Sequence, residues 1–279
     1  LNVSKKIHII KLKIHFYYLT IKMGLDFVSK VRIFARSCNV LKNWYVYPLV
    51  YFNLTKKSHV IFETKSGIKL KIRTKTTDLM ALTNIWLIQE YLDDEFEIEN
   101  NDVVLDIGGH IGLFALFASQ FCKKGKIFCF EPVKENYDIL LENLELNAVK
   151  NIIPFNLAVY DDSKKVKIYL NDDDAGHSVV LPSSKSMQAY SISLKKIFDD
   201  NKIELCDFAK IDCEGSEYSI IDKLPLEYLK RINKMAIEYH FVDSKPELAK
   251  DLISKIENAD FHVRKKSHYN DMGFLYARR

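Results

Sequence analysis

The stretch V-V-L-D-I-G-G-H-I-G, from Val103 to Gly112, constrains the fold of this chain more than any other. An apolar run rich in β-branched residues ends in Asp106, and a turn with three glycines leads into a helical apolar pattern that starts at Leu113. This order predicts a buried parallel strand, a tight turn and the first turn of a helix. Such a junction directs backbone N–H groups and the positive end of a helix toward a ligand.

The spacing of the glycines indicates which ligand this turn could bind. A dinucleotide-binding turn has the spacing G-x-G-x-x-G. Here Asp106 is followed by Gly108 and Gly112 in the pattern D-x-G-x-x-x-G, with Gly109 as an extra glycine. This is the pattern of S-adenosylmethionine-binding methyltransferases, in which the acid faces the methionine end of the cofactor. A NAD-dependent oxidoreductase and a tight turn without any ligand are the alternatives.

Downstream of Asp102 the sequence alternates between strand and helix patterns, which predicts a doubly wound parallel sheet with right-handed crossovers. The predicted strands are 103–107, 126–131, 152–157, 207–211 and 234–239, and the predicted helices are 112–122, 134–147, 216–222 and 246–258. Two late strand patterns, around 261–263 and 273–277, have no helix between them and predict an antiparallel hairpin at one edge. Ligands are expected at the carboxyl ends of the parallel strands.

The second predicted strand ends in Glu131, 25 residues beyond Asp106. In nucleotide-binding folds an acid about 20 residues further along accepts hydrogen bonds from ribose, and one carboxylate can accept both vicinal hydroxyls. The alternative is that Glu131 only favours the N-terminus of the next helix. Ribose binding is the prediction here, because Asp106, the glycines and Glu131 fit one adenosine ligand together.

The later strand ends carry the candidate catalytic residues. Lys210 to Glu217, K-I-D-C-E-G-S-E, is the densest polar cluster at any strand end. Asp212 and Glu214 are candidates for proton acceptor, orienter of a substrate hydroxyl or amine, or metal ligand, whereas a helix N-terminus explains Glu217 equally well. His240, at the end of the fifth strand, is a candidate general base or a structural histidine.

No metal-ligand set is assigned from the sequence. The five cysteines form no C-x-x-C pair, which favours reduced thiols in a cytosolic protein over disulfides or zinc. The polar loop from Asp172 to Ser178 could be a substrate lid or a metal loop, but it lacks the calcium-loop pattern.

The N-terminal part differs from the rest in charge. Up to Lys75 there are sixteen lysines and arginines against only Asp26 and Glu63. Such a basic segment suggests a polyanionic partner, either nucleic acid or anionic lipid, or simply a solvated surface. It is predicted to contain an amphipathic helical region over 26–54, a β-hairpin with its turn near Ser66, and a helix from about residue 77 to 92. The predicted division is an extension over 1–95 and a catalytic domain over 96–279.

Three ordered motifs resemble the FkbM-type S-adenosylmethionine-dependent methyltransferases. They are V-V-L-D-I-G-G-H-I-G, F-E-P-V-K-E-N-Y-D-I-L-L-E-N-L-E-L-N and F-A-K-I-D-C-E-G-S-E-Y-S-I-I, and the resemblance covers roughly residues 77–279. It implies an α/β fold with a Rossmann-like, seven-stranded class I methyltransferase sheet and helices on both faces, here with an N-terminal helical and β-hairpin extension. It also implies S-adenosylmethionine as cofactor and methyl transfer, typically to oxygen, on secondary metabolites, sugars or glycans.

By position, the resemblance assigns roles to particular residues. Asp106 and the glycine turn would hold the methionine end, Glu131 would bind ribose, and Asn136 would belong to the helix start after the ribose site. Asp212 and Glu214 would lie at the mouth of the active site. The family usually has Ala-Asn at positions 109 and 110, where this chain has Gly-His, and a small-Ser-Ser stretch where it has Gly-His-Ser at 176–178.

The sequence therefore predicts a methyltransferase that acts on a hydroxyl of a sugar, glycan, lipid-linked or secondary-metabolite substrate. Nucleic acid is disfavoured as a substrate, because the chain has neither a D/N-P-P-Y motif for base amines nor a Pro-Cys nucleophile for pyrimidine carbon-5. A cytoplasmic location, with peripheral membrane contact through the basic N-terminus, is expected. The alternative is a non-catalytic protein that binds the cofactor, or RNA, on a methyltransferase fold.

Overall fold

The structure is a computed structural model that describes residues 27–93, 95–170, 184–269 and 271–279. The chain divides into two compact units, Leu1–Ile88 and Gln89–Arg279. This division falls seven residues before the predicted boundary at 95, which stays a prediction. The start of the basic segment and the polar loop at 172–178 lie outside the described residues.

From residue 27 onward, the first unit contains the predicted hairpin and four helical segments. In the hairpin, His59 pairs with Arg73 and Glu63 with Lys69, and the alternating apolar residues of both strands are buried. The elements are α1 (Phe27–Val40), α2 (Val46–Tyr51), β1 (His59–Glu63), β2 (Lys69–Arg73), α3 (Asp78–Leu82) and a π-helical segment (Thr83–Ile88). The predicted amphipathic helical region thus contains two helices among its described residues.

The last helix of this unit differs from the prediction, which extended it to residue 92. It is α-helical only to Leu82 and then continues as a π-helix that ends at Ile88. The Thr83 hydroxyl donates to the Leu79 carbonyl at 2.7 Å, a side-chain bond that competes with the helical ladder. Gln89 has a φ of 59°, and this left-handed residue ends the helix.

The second unit is built on a seven-stranded sheet with the order β11-β12-β10-β9-β3-β4-β5. Only β12 runs antiparallel to its neighbours, because it returns as a hairpin between β10 and β11. The strands are β3 (Val103–Ile107), β4 (Lys126–Phe130), β5 (Ile152–Phe155), β9 (Cys206–Ile211), β10 (Ile232–His240), β11 (His262–Tyr269) and β12 (Met272–Arg278). The predicted parallel sheet and late hairpin are therefore present.

The order of the parallel strands determines where a ligand crevice is expected. From β3 the chain moves outward through β4 to β5, and then returns to β9 on the other side of β3 before continuing to β10. Right-handed crossovers in opposite directions put the helices on both faces, and the carboxyl ends of β3 and β9 flank the point where the order reverses. The helices are α4 (Leu113–Ser119), α5 (Lys134–Asn147), α6 (Leu194–Asp200), α7 (Glu217–Lys223), α8 (Leu226–Leu229) and α9 (Pro246–Glu257).

A three-stranded sheet with the order β6-β8-β7 was not predicted. Its strands are β6 (Ala158–Tyr160), β7 (Lys165–Leu170) and β8 (Lys185–Ser193). Val166, Ile168 and Ala189 form a small buried cluster of its own. This cluster is separate from the large core, which lies against the seven-stranded sheet.

Candidate active site

The turn after β3 packs directly against the end of β9. Gly108 has a φ of 79°, and a Cβ there would lie 1.7 Å from the carbonyl oxygen of Asp212. At Gly109 a Cβ would lie 2.3 Å from the Cys129 sulfur. Gly112 precedes α4 with a φ of 82°, against the side chain of Leu140. The glycines are therefore required by close packing and, at Gly108 and Gly112, by backbone conformation.

Asp106 is fully buried at the end of β3. Its Oδ2 accepts a hydrogen bond from the Cys129 thiol at 3.3 Å. Its Oδ1 makes no hydrogen bond with any residue in the described ranges, although the Lys210 ammonium lies 3.4 Å away. Burial raises the pKa of Asp106, and the nearby Lys210 charge opposes this rise. An incompletely satisfied carboxylate beside a glycine turn fits a cationic or hydroxylated ligand.

Glu131 connects the glycine turn to the start of α5. Its Oε2 accepts from the backbone N–H of His110 and its Oε1 from that of Val133, both at 2.8 Å. The Asn136 amide donates to Oε1 at 3.5 Å. Burial raises the pKa of Glu131 to about 7, although these three hydrogen bonds hold it down in part. Oε1 accepts two of these bonds and Oε2 only one, so Oε2 keeps a lone pair that can accept a ribose hydroxyl.

Lys210 was not predicted as a site residue, yet it links the two parts of the site. Its buried ammonium donates to the Gly108 carbonyl at 2.6 Å and lies 3.5 Å from Asp212 Oδ2. Burial would lower the pKa of Lys210, but Asp212 and Asp106 raise it above its ordinary value. A lysine within the apolar strand C-D-F-A-K-I was the signal that could have identified it.

Asp212 and Glu238 lie at the tips of β9 and β10, joined by Tyr91. The tyrosine hydroxyl lies 2.7 Å from Asp212 Oδ2 and 3.3 Å from Glu238 Oε2. Burial raises the pKa of Glu238 well above its ordinary value, and the charge of Asp212 adds to this effect. Burial would also raise the pKa of Asp212, but Lys210 and His240 outweigh it and lower that pKa.

His240, at the end of β10, is held by Glu217. Glu217 Oε1 accepts from the His240 backbone N–H at 2.8 Å and lies 3.2 Å from Nδ1. On the other side of the ring, Nε2 lies 3.2 Å from Glu214 Oε2 and 3.7 Å from Glu238 Oε1. Burial would lower the pKa of His240, but Glu214 and Glu217 raise it well above its ordinary value.

The predicted site residues thus fall into two neighbouring groups. Those expected to bind the cofactor surround the turn after β3 and the start of α5, namely Asp106, Gly108, Gly109, Gly112, Glu131 and Asn136. Those expected to act in catalysis lie at the tips of β9 and β10, namely Asp212, Glu214 and His240. The sequence did not identify Lys210, Tyr91 or Glu238 as site residues, and it left the role of Glu217 open. All of these roles stay predictions.

The strand order and the site define a class of protein. A seven-stranded sheet with a single antiparallel strand, a glycine turn after its first strand and an acid at the tip of the next are the features of a class I methyltransferase. A family model described as the methyltransferase FkbM domain matches residues 106–263. Because this match spans more than half of the chain, the protein belongs to the FkbM methyltransferase family, and its cofactor is S-adenosylmethionine. The predicted family and fold are confirmed.

Two curated proteins illustrate the range of relatives. Hexuronic acid methyltransferase AglP of Haloferax volcanii is 23% identical over 209 residues, which cover 72% of this chain and 83% of that protein. Methyltransferase sdnD of Sordaria araneosa is 21% identical over 185 residues, which cover 54% of this chain and 71% of that protein.

A solved structure, the FkbM methyltransferase of Methylobacillus flagellatus, is 16% identical with a TM-score of 0.46. The match covers 72% of this chain and 53% of that one. The fold assignment rests on the strand order described above rather than on this likeness.

Proposed function

We propose that this protein transfers the methyl group of S-adenosylmethionine to a hydroxyl oxygen of a sugar, a glycan or another hydroxylated substrate. The family assignment supports methyl transfer. The groups at the tips of β9 and β10 support an acceptor that must lose a proton when it reacts, because carboxylates and an imidazole are the side chains that accept protons near neutral pH.

The position of Lys210 is the observation that carries this proposal. Its nitrogen lies 3.4 Å from Asp106 Oδ1 and 3.5 Å from Asp212 Oδ2. One side chain thus spans the distance between the predicted methionine end of the cofactor and the cluster of proton-accepting groups. A methyl donor held by Asp106 would have its reactive carbon close to that cluster, which is the positioning that such a transfer needs.

The proposed reaction is an in-line displacement at the sulfonium methyl carbon. The acceptor oxygen forms a bond to that carbon, the carbon–sulfur bond breaks, and its electron pair stays on sulfur. The products are a methyl ether and S-adenosylhomocysteine, and the hydroxyl proton passes to a side chain. We assign this role to Asp212, because its lowered pKa keeps the carboxylate ionised and therefore able to accept a proton.

The acceptor class is proposed from the name of one relative. The AglP protein of Haloferax volcanii is named as a hexuronic acid methyltransferase. A sugar acid presents both hydroxyl and carboxylate oxygens, so methyl transfer to this class could give either an ether or an ester. We propose the ether, since the site offers several groups that could remove a hydroxyl proton and a carboxylate acceptor would need none of them.

The acceptor can be identified with isotopically labelled methyl donor. The full chain would be incubated with deuterated-methyl S-adenosylmethionine and a panel of hexuronic acids, neutral hexoses and their glycosides, and the products analysed by mass spectrometry before and after mild alkali. We expect a labelled sugar whose methyl group survives alkali, as an ether does. A labelled product that alkali cleaves, as it cleaves a methyl ester, would disprove the proposal.

The role of Asp212 can be tested once an acceptor is known. Asp212→Asn should slow single-turnover methyl transfer roughly 100-fold or more, because general-base catalysis contributes about 10²–10⁴. Asp138→Asn is the matched control, since Asp138 is exposed on α5 and forms only a surface ion pair with Lys134. An unchanged rate in Asp212→Asn would remove Asp212 from the chemistry.

A further inference from the structure

Three side chains at the tips of β9 and β10 are arranged like a set of metal ligands. Asp212, Glu238 and His240 each present one possible ligand atom, and the three atoms lie within 4.8 Å of one another. Glu238 and His240 are two residues apart on one strand, so they project on the same face of the sheet. Asp212 follows the neighbouring parallel strand. The sequence alone offers Asp212 as one possible metal ligand but assigns no ligand set, because these three residues come from separate motifs.

The orientation of His240 gives independent support. Glu217 Oε1 lies 3.2 Å from Nδ1 and also accepts from the His240 backbone N–H. A carboxylate behind Nδ1 is the arrangement that turns Nε2 toward a metal ion in many metalloproteins. Glu217 is itself fixed, since its Oε2 accepts from the Gly215 backbone N–H at 2.8 Å.

The Nε2 atom of His240 points into the cluster without a hydrogen bond. The side chain of His240 is 6% exposed, and within the described ranges Nε2 has no hydrogen-bond partner, in spite of the Glu214 and Glu238 oxygens at 3.2 and 3.7 Å. A buried nitrogen of this kind is uncommon in proteins and calls for a partner. The carboxylates close to Nε2 favour a bound cation as this partner.

The remaining contacts position the two carboxylates. The Tyr91 hydroxyl lies between Asp212 Oδ2 and Glu238 Oε2, so it tethers both side chains from the same side. Outer contacts of this type commonly orient carboxylate ligands. The cluster therefore has three potential ligands on two rigid strands, each of them held by a further residue.

We propose that Asp212, Glu238 and Nε2 of His240 bind a divalent transition-metal cation of the Mn²⁺ type, with open positions for the acceptor hydroxyl. One imidazole nitrogen and two carboxylate oxygens suit Mn²⁺ better than Mg²⁺, which prefers oxygen ligands throughout. The catalytic use of the cation rests on the proposed function: it would hold the acceptor oxygen and lower the pKa of its hydroxyl. Binding of the cation does not depend on that function.

The site can be tested with Mn²⁺ itself, by titration of the chelator-treated full chain and electron paramagnetic resonance. We expect saturable binding of one Mn²⁺ per chain, with nitrogen hyperfine coupling from an imidazole ligand. His240→Gln should abolish that coupling and weaken binding roughly 10-fold or more. His59→Gln is the matched control, since His59 is exposed on β1, and it should bind Mn²⁺ with unchanged affinity and coupling.

Two further variants keep the test decisive. If His240→Gln fails to fold by circular dichroism, Asp212→Asn and Glu238→Gln should each weaken Mn²⁺ binding roughly 10–100-fold. Absence of saturable binding, or nitrogen coupling that persists without His240, would overturn the cation site. Methyl transfer at full rate in chelator would overturn the catalytic use of the cation but leave the proposed function standing. Tight Mn²⁺ binding without any methyl transfer would overturn the proposed function but leave the cation site standing.

Discussion

Two buried carboxylates, Asp106 and Glu131, lie in the part of the site that is predicted to bind the cofactor. Asp106 has no exposed surface and keeps one oxygen without a hydrogen bond among the described residues, while Glu131 already accepts three. The first is therefore poised for a ligand group of its own. Glu131 already connects the glycine turn to the start of α5, so a ribose hydroxyl would have to bind in addition to these contacts.

Asp106→Asn should weaken S-adenosylmethionine binding roughly 10–100-fold, because it removes the charge of a buried acceptor while keeping its shape. Isothermal titration calorimetry would measure the change. Asp102→Asn is the matched control: Asp102 is also buried, but it precedes β3 and accepts from the Glu99 backbone N–H at 2.8 Å. Equal losses of affinity in both variants would show that the effect is not specific to the cofactor site.

The raised pKa of Glu131 predicts a pH dependence of cofactor binding. The carboxylate must be ionised for its free oxygen lone pair to accept a ribose hydroxyl, and burial raises its pKa to about 7. Below that pH the proton competes with the ligand, so affinity should fall roughly tenfold from pH 8 to pH 6. Calorimetry across this range should show the fall in the wild type. In Glu131→Gln the binding should be weaker, and its dependence on pH flatter; an equally steep profile would assign the titration to another group.

The site could be predicted where its residues lie close together in sequence. Asp106, the glycines and Glu131 belong to strand–turn–helix segments whose local pattern fixes their position. Tyr91 could not be predicted, because it lies 121 positions from Asp212 and reaches it only through the packing of the folded chain. Glu238 was visible at a strand end, but its pairing with Asp212 depends on which strands become neighbours.

The turn between β3 and α4 is the element on which the two groups of site residues depend. Gly108→Ala should destabilise the second unit by about 3 kcal/mol or more, since it combines a φ of 79° with a clash at 1.7 Å against a backbone oxygen. Gly112→Ala is the matched control, because it shares the positive φ but meets only the Leu140 side chain, at 3.0 Å. Its cost should be about 1–2 kcal/mol.

Urea denaturation followed by circular dichroism would compare the two alanine variants. If Gly112→Ala were as destabilising as Gly108→Ala, the backbone conformation alone would explain both, and the close approach of the turn to β9 would have no measurable role.

Strands with a continuous apolar pattern could be predicted from the sequence, whereas strands that mix apolar and polar residues could not. The strands of the large sheet read as apolar runs because helices cover both of their faces. The strands β6 to β8 are short or rich in polar residues: β7 reads K-V-K-I-Y-L and β8 reads K-S-M-Q-A-Y-S-I-S, so this part of the chain resembles a polar connection. The helix after Asp78 was predicted too long, because the competing side-chain bond of Thr83 and the left-handed Gln89 leave no clear signature in the sequence.

At the scale of the molecule, charge and exposed apolar surface are unevenly distributed. Nine of the fifteen exposed large apolar side chains among the described residues lie between Val28 and Ile61. They occur within the segment that has sixteen basic residues up to Lys75 against two acids. Together they support the predicted contact with an anionic membrane surface. Within the described ranges, no helix has the length and apolar character to span a bilayer.

Membrane contact predicts that the full chain co-sediments with vesicles containing phosphatidylserine, but not with pure phosphatidylcholine, and that salt weakens this binding. Val31→Asp should reduce it several-fold, since Val31 is exposed on α1 beside the basic residues Lys30 and Arg32. Leu226→Asp is the matched control in the second unit, where Leu226 is similarly exposed. No difference between the two variants, or binding independent of lipid charge, would contradict the prediction.

The ammonium of Lys210 lies between Asp106 and Asp212 and is shared by both. A sulfonium donor that binds near Asp106 would shift this positive charge toward Asp212. Binding of the donor would then change the affinity of the site for the acceptor. Such heterotropic coupling is reciprocal: whatever factor the acceptor applies to donor affinity, the donor applies to the acceptor. Once the methyl group has left, the thioether product is neutral at sulfur, so it would no longer compete with Lys210 for Asp106 and the lysine charge would again be shared by both carboxylates.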